Sequence, residues 1–242
     1  MKKTLSKTIL NKIALFLIGI SSLSLTSCLD KDEDPVAPQP ISFVSFYHGA
    51  PSAPDMNILI DGGQINNQPF KYSDYTNYLG FRPRSVKVKF GPTNAVNPSR
   101  DTTLTLVEDK IYSIFVVDDA AQIDLLVLTD DSLETPATGK AGVRFVHLSP
   151  DAPAVDVATT GTSAANLFSN VGFKGSTDFI ELAAGKHTLQ VKNAGGSDVL
   201  LPVPNVELAA GRIYTFVFRG FVSPPAGNTK TLDFQVLPAG ND

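Results

Sequence analysis

The sequence predicts an all-β protein in which a signal peptide and a flexible tether precede two tandem antiparallel β-sandwich domains of the immunoglobulin-like size class. Short alternating or β-branched runs, punctuated by Gly, Pro, Asn and Asp, fill most of the chain, and long stretches at helical period are absent. One strand-like stretch also occurs twice, as VSFYHGAPSAP from Val44 to Pro54 and as VRFVHLSPDAP from Val143 to Pro153. This repetition indicates two copies of one folding unit.

Residues 1–27 are typical of a signal peptide. Four lysines precede an apolar stretch from Ile13 to Leu25, whose 13 residues are fewer than the roughly 20 that a membrane-spanning helix needs. The segment runs into LTSC, which resembles the lipobox of bacterial lipoproteins and contains the only cysteine of the chain, Cys28. We expect cleavage before Cys28, lipidation of its thiol and membrane attachment through that lipid. The alternative is an ordinary signal peptide followed by a free thiol.

Residues 28–40 are predicted to be a flexible tether, because this acidic, proline-rich run has too little apolar surface to fold. It resembles the acidic tags of surface-exposed lipoproteins in some Gram-negative bacteria. We therefore expect an outer-membrane lipoprotein of the cell envelope, either surface-exposed or periplasmic. The net charge of the full chain is -4, and removal of four lysines with the signal gives -8. Such an acidic chain excludes nucleic acid as a partner.

The repeat divides the remaining chain into a first sandwich over 41–130, a linker over 131–140 and a second sandwich over 141–242. Beyond the twin motif, KIYSIFV from Lys110 to Val116 corresponds to RIYTFVF from Arg212 to Phe218. About seven strands per copy suit an antiparallel sandwich of this size. We predict strands in the first copy over Ser42–Tyr47, Met56–Ile60, Ser85–Phe90, Thr102–Val107, Ile111–Val117 and Ile123–Thr129.

The second copy resembles the bacterial domain-of-unknown-function family 4397, whose members include secreted proteins and lipoproteins. The resemblance rests on VRFVHLSPDAPAVDV, Val143 to Val157, on GKHTLQVK, Gly185 to Lys192, and on AGRIYTFVF, Ala210 to Phe218. It implies two tandem copies of this family in a lipoprotein, and it supplies no activity. The first copy departs from the pattern at Gly49, Ser52 and Asn57, which replace Leu148, Asp151 and Asp156.

The strongest catalytic candidates are His147, Ser149 and Asp156, which have the side chains of a nucleophile, base and acid triad. The first copy has Ala50 at the position of Ser149, so a shared catalytic role is not expected. In AVDV we expect Asp156 to face solvent while the flanking valines enter the core. Asp151, between two prolines, is expected to accept a nearby backbone N–H in a turn.

The recurring histidines His48 and His147 could also suggest a metal site. Each copy offers one such histidine and no neighbouring cysteine, whereas zinc usually takes four ligands. We therefore predict no metal, no cofactor and no catalytic residue, and expect both imidazoles to bond backbone groups of the adjoining turn.

Tyrosines form two further patterns. Tyr112 and Tyr214 recur just after a turn and suit either a tyrosine corner, in which the hydroxyl bonds a backbone group, or a simple buried aromatic. Tyr72, Tyr75 and Tyr78 cluster in the first copy, where they could bind sugars or a protein partner or form a partly buried stripe.

Two short stretches, Asp101-Thr102-Thr103 and Asp131-Ser132-Leu133, resemble bacterial O-glycosylation sequences and make Thr102 and Ser132 candidate acceptors. The sequence as a whole favours a lipid-anchored envelope protein that acts as a non-catalytic binding or structural module, with a glycan or an envelope protein as partner. The alternative is a hydrolase or metal-dependent enzyme centred on His147, Asp151 and Asp156. The residues do not define an oligomeric state.

Overall fold

Sixteen β-strands and no helix make up the part of the chain that the computed structural model describes, which is residues 39–93, 100–118, 123–130, 133–161 and 164–239. Within these residues there is consequently no helix of the length and apolarity that spanning a membrane requires. The first eight strands are β1 Ser42–His48, β2 Met56–Ile60, β3 Gly63–Gln64, β4 Leu79–Phe81, β5 Ser85–Pro92, β6 Arg100–Thr105, β7 Ile111–Val117 and β8 Asp124–Asp130. The other eight are β9 Lys140–His147, β10 Val155–Thr159, β11 Asn166–Val171, β12 Ile180–Ala183, β13 Gly185–Asn193, β14 Val199–Leu208, β15 Ile213–Arg219 and β16 Asp233–Ala239.

The two sets of eight strands have the same topology. Strands β1–β8 form two four-stranded sheets in the orders β4-β1-β7-β8 and β3-β2-β5-β6. Strands β9–β16 form sheets in the orders β12-β9-β15-β16 and β11-β10-β13-β14, which are the same orders with eight added to each strand number. The prediction of an all-β protein built of sandwiches is confirmed. We refer to β1–β8 as the first sandwich and to β9–β16 as the second.

One pair in each sandwich is parallel, whereas the sequence suggested antiparallel sheets throughout. Strand β1 pairs with β7 in parallel, and β9 pairs with β15 in the same way. The physical reason is that the chain crosses to the other sheet and back between these strands, and such a crossover returns the chain in its original direction. The remaining pairs between the described strands are antiparallel.

Each sandwich has its own apolar core between its two sheets. Strand β2 shows the underlying pattern, since alternate residues of MNILI are buried and pack inward while Asn57 and Leu59 are half-buried on the other face. In the first core, the rings of Phe46 and Phe90 meet edge to face with centroids 5.9 Å apart. In the second core, Phe145 stacks on Phe168 at the same centroid distance of 5.9 Å.

A third, smaller core joins the two sandwiches. It contains buried side chains from both of them, namely Tyr47, Phe115, Val117, Val146, Leu148, Val217 and Leu237. These residues lie on the outer faces of the sheets that contain β7 and β15. Both of those strands are therefore buried on two faces, which explains their nearly continuous apolar sequences, IYSIFVV and IYTFVFR. Residues Gln39–Asp242 accordingly form one compact unit.

Arg144 is the polar centre of the contact between the sandwiches. The residue is 2% exposed, and its guanidinium donates to both carboxylate oxygens of Asp130 at 3.1 and 2.9 Å. It also donates to Ser113 Oγ at 2.9 Å and to Thr215 Oγ1 at 3.0 Å, and its Cζ lies 4.6 Å from the ring centroid of Phe179. An ion pair from Arg144 Nη1 to both oxygens of Asp130 thus connects β8 of the first sandwich with β9 of the second.

The predicted linker over 131–140 leads directly into the second sandwich. Residues 131 and 132 lie outside the described part of the chain. Beyond them Pro136 is buried, and the backbone N–H of Ala137 donates to a carboxylate oxygen of Glu181 at 2.7 Å. Lys140, the last residue of the predicted linker, is already the first residue of β9.

Candidate functional site

The twin sequence motif forms two equivalent proline corners that follow β1 and β9. His48 and His147 are both fully buried there, and the Nε2 of each ring bonds the carbonyl of the second proline of its own motif, Pro54 at 3.2 Å and Pro153 at 3.0 Å. In the second corner the backbone N–H of Ser149 donates to His147 Nδ1 at 3.3 Å, so Nε2 carries the proton. The predicted backbone-bonding role of both histidines is confirmed.

Burial also sets the charge of these two rings. Desolvation lowers the pKa of His48 and of His147 below the ordinary value, and it outweighs the hydrogen bonds to the proline carbonyls, which act in the opposite direction. Both imidazoles are therefore neutral at neutral pH. A ring whose two nitrogens bond the backbone, as in His147, is not available as a general base.

The residues of the enzymatic alternative are not brought together. The Ser149 hydroxyl lies 3.5 Å from a carboxylate oxygen of Asp151, and it is the backbone N–H of Ser149 that faces His147. Asp156 bonds groups of its own sheet and the loops beside it. Across the described ranges, no three His, Cys, Asp or Glu side chains converge in a way that would hold a metal ion.

The prediction that Asp156 faces solvent is wrong, because the residue is only 3% exposed. Strand β10 is an inner strand of its sheet, and donors from β11 and from the loop after β13 surround the carboxylate. Asp156 accepts hydrogen bonds from Asn166 Nδ2 at 3.0 Å, the Asn170 N–H at 2.8 Å and the Gly195 N–H at 3.1 Å. Burial would raise the pKa of this carboxyl, but these donors outweigh burial and hold the pKa below its usual value.

Both proline corners hold the same loop, residues 220–232 between β15 and β16. The carboxylate of Asp151 accepts the backbone N–H groups of Val222 and Ser223, each at 2.8 Å, whereas the sequence predicted a backbone N–H of its own turn. From the first corner, Pro51 O and Ser52 Oγ accept the side-chain amide of Asn228 at 3.0 and 3.2 Å. Ser52 and Asp151 occupy equivalent positions in the repeat. The two copies of the motif therefore fix two points of one loop.

This loop forms one wall of a surface depression that we call the seam groove. The groove consists of three neighbouring cavities of about 440, 330 and 410 Å³. The first lies between the loop that joins β3 to β4 and Gln235 of β16, the second between that loop and residues 229–233, and the third between the first proline corner and residues 225–230. The first two cavities share Ser73, and the second and third share Thr229 and Lys230. Cavities of this size, formed where two packed units meet, are common places for ligands.

The first cavity contains the one member of the tyrosine cluster that is exposed. Tyr75 is 43% exposed, whereas Tyr78 bonds Ser113 Oγ at 2.8 Å and Tyr72 is half-buried. The rest of the cavity is lined by amide and hydroxyl side chains, including Gln235, and also by Pro69, Phe70 and the carboxylate residue Asp74. The amide of Gln235 is held in place, since it accepts from Tyr47 Oη at 2.9 Å and donates to Ser73 O at 3.3 Å.

The middle cavity contains cations from the second sandwich beside an aromatic ring from the first. Arg219 Cζ lies 4.9 Å and Lys230 Nζ lies 5.4 Å from the ring centroid of Tyr72. Arg219 also forms an ion pair with Asp233. Burial raises the pKa of the Tyr72 hydroxyl, which is therefore protonated at neutral pH.

The other tyrosine prediction is confirmed as a tyrosine corner. Tyr112 Oη accepts the N–H of Val107 at 3.0 Å and donates to Thr105 O at 3.2 Å. Tyr214 Oη accepts the N–H of Ala209 at 3.1 Å, five residues upstream as in the first sandwich. These hydrogen bonds link β7 in the first sandwich, and β15 in the second, to the loop that precedes the strand.

The predicted modification sites are placed as follows. Thr102 lies on β6, opposite Val88 of β5, and is half-buried. Ser132 and Cys28 lie outside the described residues, as do the predicted signal peptide and most of the predicted tether. Glycosylation and lipidation therefore stay predictions.

Comparison with known families supports the family resemblance. A family described as Domain of unknown function (DUF4397) matches residues 42–158, which span the first sandwich and the opening strands of the second. The match covers this region once and does not extend over the remainder of the second sandwich. No curated protein matches the chain.

Several solved structures are distantly similar. They include a family 41 carbohydrate-binding module from streptococcal virulence factors, described for alpha-glucan recognition, with 11% identity, coverage of 76% of this chain and 95% of the other, and a TM-score of 0.25. A second is a family 26 carbohydrate-binding module of Eubacterium rectale Amy13K in complex with maltoheptaose, with 10% identity, coverage of 83% and 98%, and a TM-score of 0.25. Similarity at this level carries no argument about a ligand of this chain.

Proposed function

We propose that this chain is a lipid-anchored protein of the bacterial cell envelope that acts as a non-catalytic binding module, with the seam groove as its binding surface and a glycan as its ligand. The observation that carries the proposal is the exposed ring of Tyr75 in a cavity of about 440 Å³ whose other walls are largely polar. The sequence also allows an envelope protein as the partner, and the binding experiment below distinguishes this partner from a glycan.

A glycan suits this cavity better than an apolar ligand. A sugar ring offers an apolar C–H face to an aromatic ring and hydroxyl groups to amides, which both donate and accept hydrogen bonds. Tyr75 supplies the ring, and Asn67, Gln68 and Gln235 supply amides. Because Gln235 is already oriented by Tyr47 and Ser73, part of the binding geometry is formed before a ligand arrives.

The absence of catalysis is proposed from the contacts of the candidate residues. His147 bonds two backbone groups, Asp151 holds the loop over 220–232, and Asp156 accepts three hydrogen bonds inside its sheet. Each of these side chains has a structural partner for its polar atoms. In a binding module these three residues need only stabilise the structure around the groove.

The second sandwich is proposed to be a second copy of the matched family. Its strand order repeats that of the first sandwich, and the sequence resemblance is most complete from Val143 to Val157. Tandem duplication also explains why Ser52 and Asp151 act on the same loop from equivalent positions.

Anchoring is proposed through the lipid on Cys28 after removal of residues 1–27, in the outer membrane and facing either the surface or the periplasm. The supporting feature is LTSC followed by an acidic, proline-rich tether over 28–40. Glycosylation of Thr102 and Ser132 is a further, separate proposal. Cys28→Ala should move the protein from the membrane fraction to the soluble fraction. The anchor proposal fails if the unmutated protein incorporates no labelled palmitate.

Glycan binding is tested with the mature protein on a polysaccharide panel. Tyr75→Ala should weaken binding at least tenfold, which corresponds to about 1.4 kcal/mol. Phe43→Ala is the matched control, because Phe43 is an aromatic residue of similar exposure, 37%, that does not line the groove. The proposal is wrong if no polysaccharide binds, or if both variants bind as tightly as the unmutated protein. Capture of an envelope protein through Tyr75 without glycan binding would favour the other partner class.

A further inference from the structure

The middle cavity of the seam groove, of about 330 Å³, has an excess of positive charge. It is lined by Arg219, Lys230 and Asp233 together with Tyr72 and neighbouring hydroxyl residues. Asp233 is committed to Arg219, which it opposes directly in the pairing of β15 with β16. Across the residues that the structure describes, Lys230 forms no ion pair and contacts the ring of Tyr72 instead. One positive charge therefore remains without a carboxylate.

Lys230 is held in this position by contacts that cross between the sandwiches. Its backbone N–H donates to Asn228 Oδ1 at 2.8 Å, while the Nδ2 of the same Asn228 donates to Pro51 O at 3.0 Å and to Ser52 Oγ at 3.2 Å. The N–H of Phe221 in turn donates to Lys230 O at 2.9 Å. The backbone of the loop that carries the lysine is thus fixed by contacts with the first sandwich and within the loop itself.

Three hydroxyl residues line the same cavity as the cations, namely Ser73, Thr229 and Thr231. An ammonium surrounded by hydroxyl donors suits an anionic oxygen group, because hydrogen bonds from charged donors to anions are about twice as strong as neutral ones. The mature chain carries a net charge of -8 by sequence, so this positive surface is not part of a general basic character.

The cationic cavity adjoins the cavity that contains Tyr75. The two share Ser73, and Asp233 of one and Gln235 of the other are two residues apart on β16 and so point to the same face. Such positions lie about 7 Å apart along a strand. One ligand of neighbouring sugar units can therefore occupy both cavities.

Resting on the proposed function, we propose that the seam groove selects acidic glycans, with a carboxylate or sulfate of one sugar bound by Lys230 and the adjoining sugar ring on Tyr75. Arg219 contributes positive potential from its pair with Asp233, and Lys230 supplies the direct contact. Neutral glycans of the same backbone bind more weakly because they leave the lysine without an anion.

The test compares acidic polysaccharides, each with its own neutral form, for binding to the mature full-length protein by calorimetry. Suitable pairs are polygalacturonate with its carboxyl-reduced form and a sulfated galactan with its desulfated form. At least one acidic member should bind ten times or more as tightly as its neutral form. Lys230→Gln should remove this difference, because the acidic form then binds no more tightly than its neutral form, and Lys230→Arg should retain the preference.

Lys186→Gln is the matched control, since Lys186 is an exposed lysine on β13 that does not line the groove. If acidic and neutral forms bind equally and Lys230→Gln affects neither, the charge inference is wrong while glycan binding stands. If no polysaccharide binds, both proposals are wrong. Binding of phosphatidylglycerol vesicles through Lys230 in the absence of polysaccharide binding would also overturn the inference, because the anion would then belong to a lipid surface.

Discussion

Replacement of Arg144 by methionine tests whether the polar centre between the sandwiches stabilises the fold. The substitution removes four hydrogen bonds and leaves Asp130 as an unpaired carboxylate whose side chain is 17% exposed. Removal of one partner from a buried ion pair typically costs about 3–5 kcal/mol. For a chain of this size that corresponds to a fall in Tm of roughly 6–20 °C. Urea unfolding followed by far-UV circular dichroism measures the loss, and it suits a chain without tryptophan.

A double substitution isolates the ion pair from the rest of the site. Arg144→Met combined with Asp130→Leu removes both charges, so the double variant should be about 1–3 kcal/mol more stable than Arg144→Met alone. Arg84→Met serves as the control, because Arg84 pairs with Asp61 at the surface and such pairs contribute about 0–1 kcal/mol. If Arg144→Met costs no more than this control, or if the double variant is the least stable of all, the assigned role of Arg144 is wrong.

Three further predictions concern the corners and the loop. His48→Gln and His147→Gln should each lower stability by about 1–3 kcal/mol, because each removes a buried hydrogen bond to a proline carbonyl. Since burial lowers the pKa of both rings, the unfolded chain takes up protons below about pH 6.5 while the folded chain does not. The stability that the neutral rings contribute is thus complete above that pH and is lost as the pH falls toward the lowered pKa of the folded state. The free energy of unfolding, measured at a series of pH values, should therefore decline less steeply with falling pH in each variant than in the unmutated protein. Equal slopes would contradict this reasoning. Tyr112→Phe should cost about 1–2 kcal/mol in urea unfolding, because it deletes a hydroxyl that bonds two backbone groups, and an unchanged midpoint would argue against the tyrosine corner. Gly220→Ala should displace the loop over 220–232 and weaken ligand binding. The reasons are that an added Cβ would lie 2.0 Å from Thr231 O and that Gly220 has a backbone φ of +85°, which disfavours alanine. Unaltered amide hydrogen exchange in the loop would show that the loop tolerates the change.

The strands that were predictable are those with one apolar and one polar face or with a continuous apolar run. Met56–Ile60 and Ile111–Val117 were both predicted with their observed bounds, because alternation or a β-branched run marks their full length. The two- and three-residue strands β3 and β4 were missed, since so few residues form no periodic pattern. Strand β6 lies two residues earlier than predicted, at Arg100–Thr105. Residues 101–105 of β6 alternate between exposed and half-buried, but the strand begins with the polar residues RDTT, so no apolar residue indicates where it starts.

The candidate site was only partly predictable. The proline corners and their histidines could be interpreted from the repeat because all their contacts are local. Alternation alone placed Asp156 in solvent, and it failed because donors from β11 and from the loop after β13 bond the carboxylate and leave it 3% exposed. The groove depends on Tyr72 and Lys230, which come from different sandwiches, and no local pattern links residues so far apart in sequence. The continuous apolar sequence of β7 was the signal that its second face is also covered, and hence that the sandwiches pack together.

The third core also bears on why two sandwiches of the same topology lie in one chain. The apolar side chains of the third core are buried against one another between the sandwiches, as in Phe115, Val117, Val146 and Val217. A single sandwich would therefore expose this outer sheet face to water. A single sandwich of this kind would meet the same requirement by pairing with another molecule of itself. Two sandwiches in one chain make this association intramolecular, and equivalent positions then need not carry the same residue, as Ser45 and Arg144 show. The groove has the same asymmetry, since the ring of Tyr72 comes from one sandwich and the cations Arg219 and Lys230 come from the other.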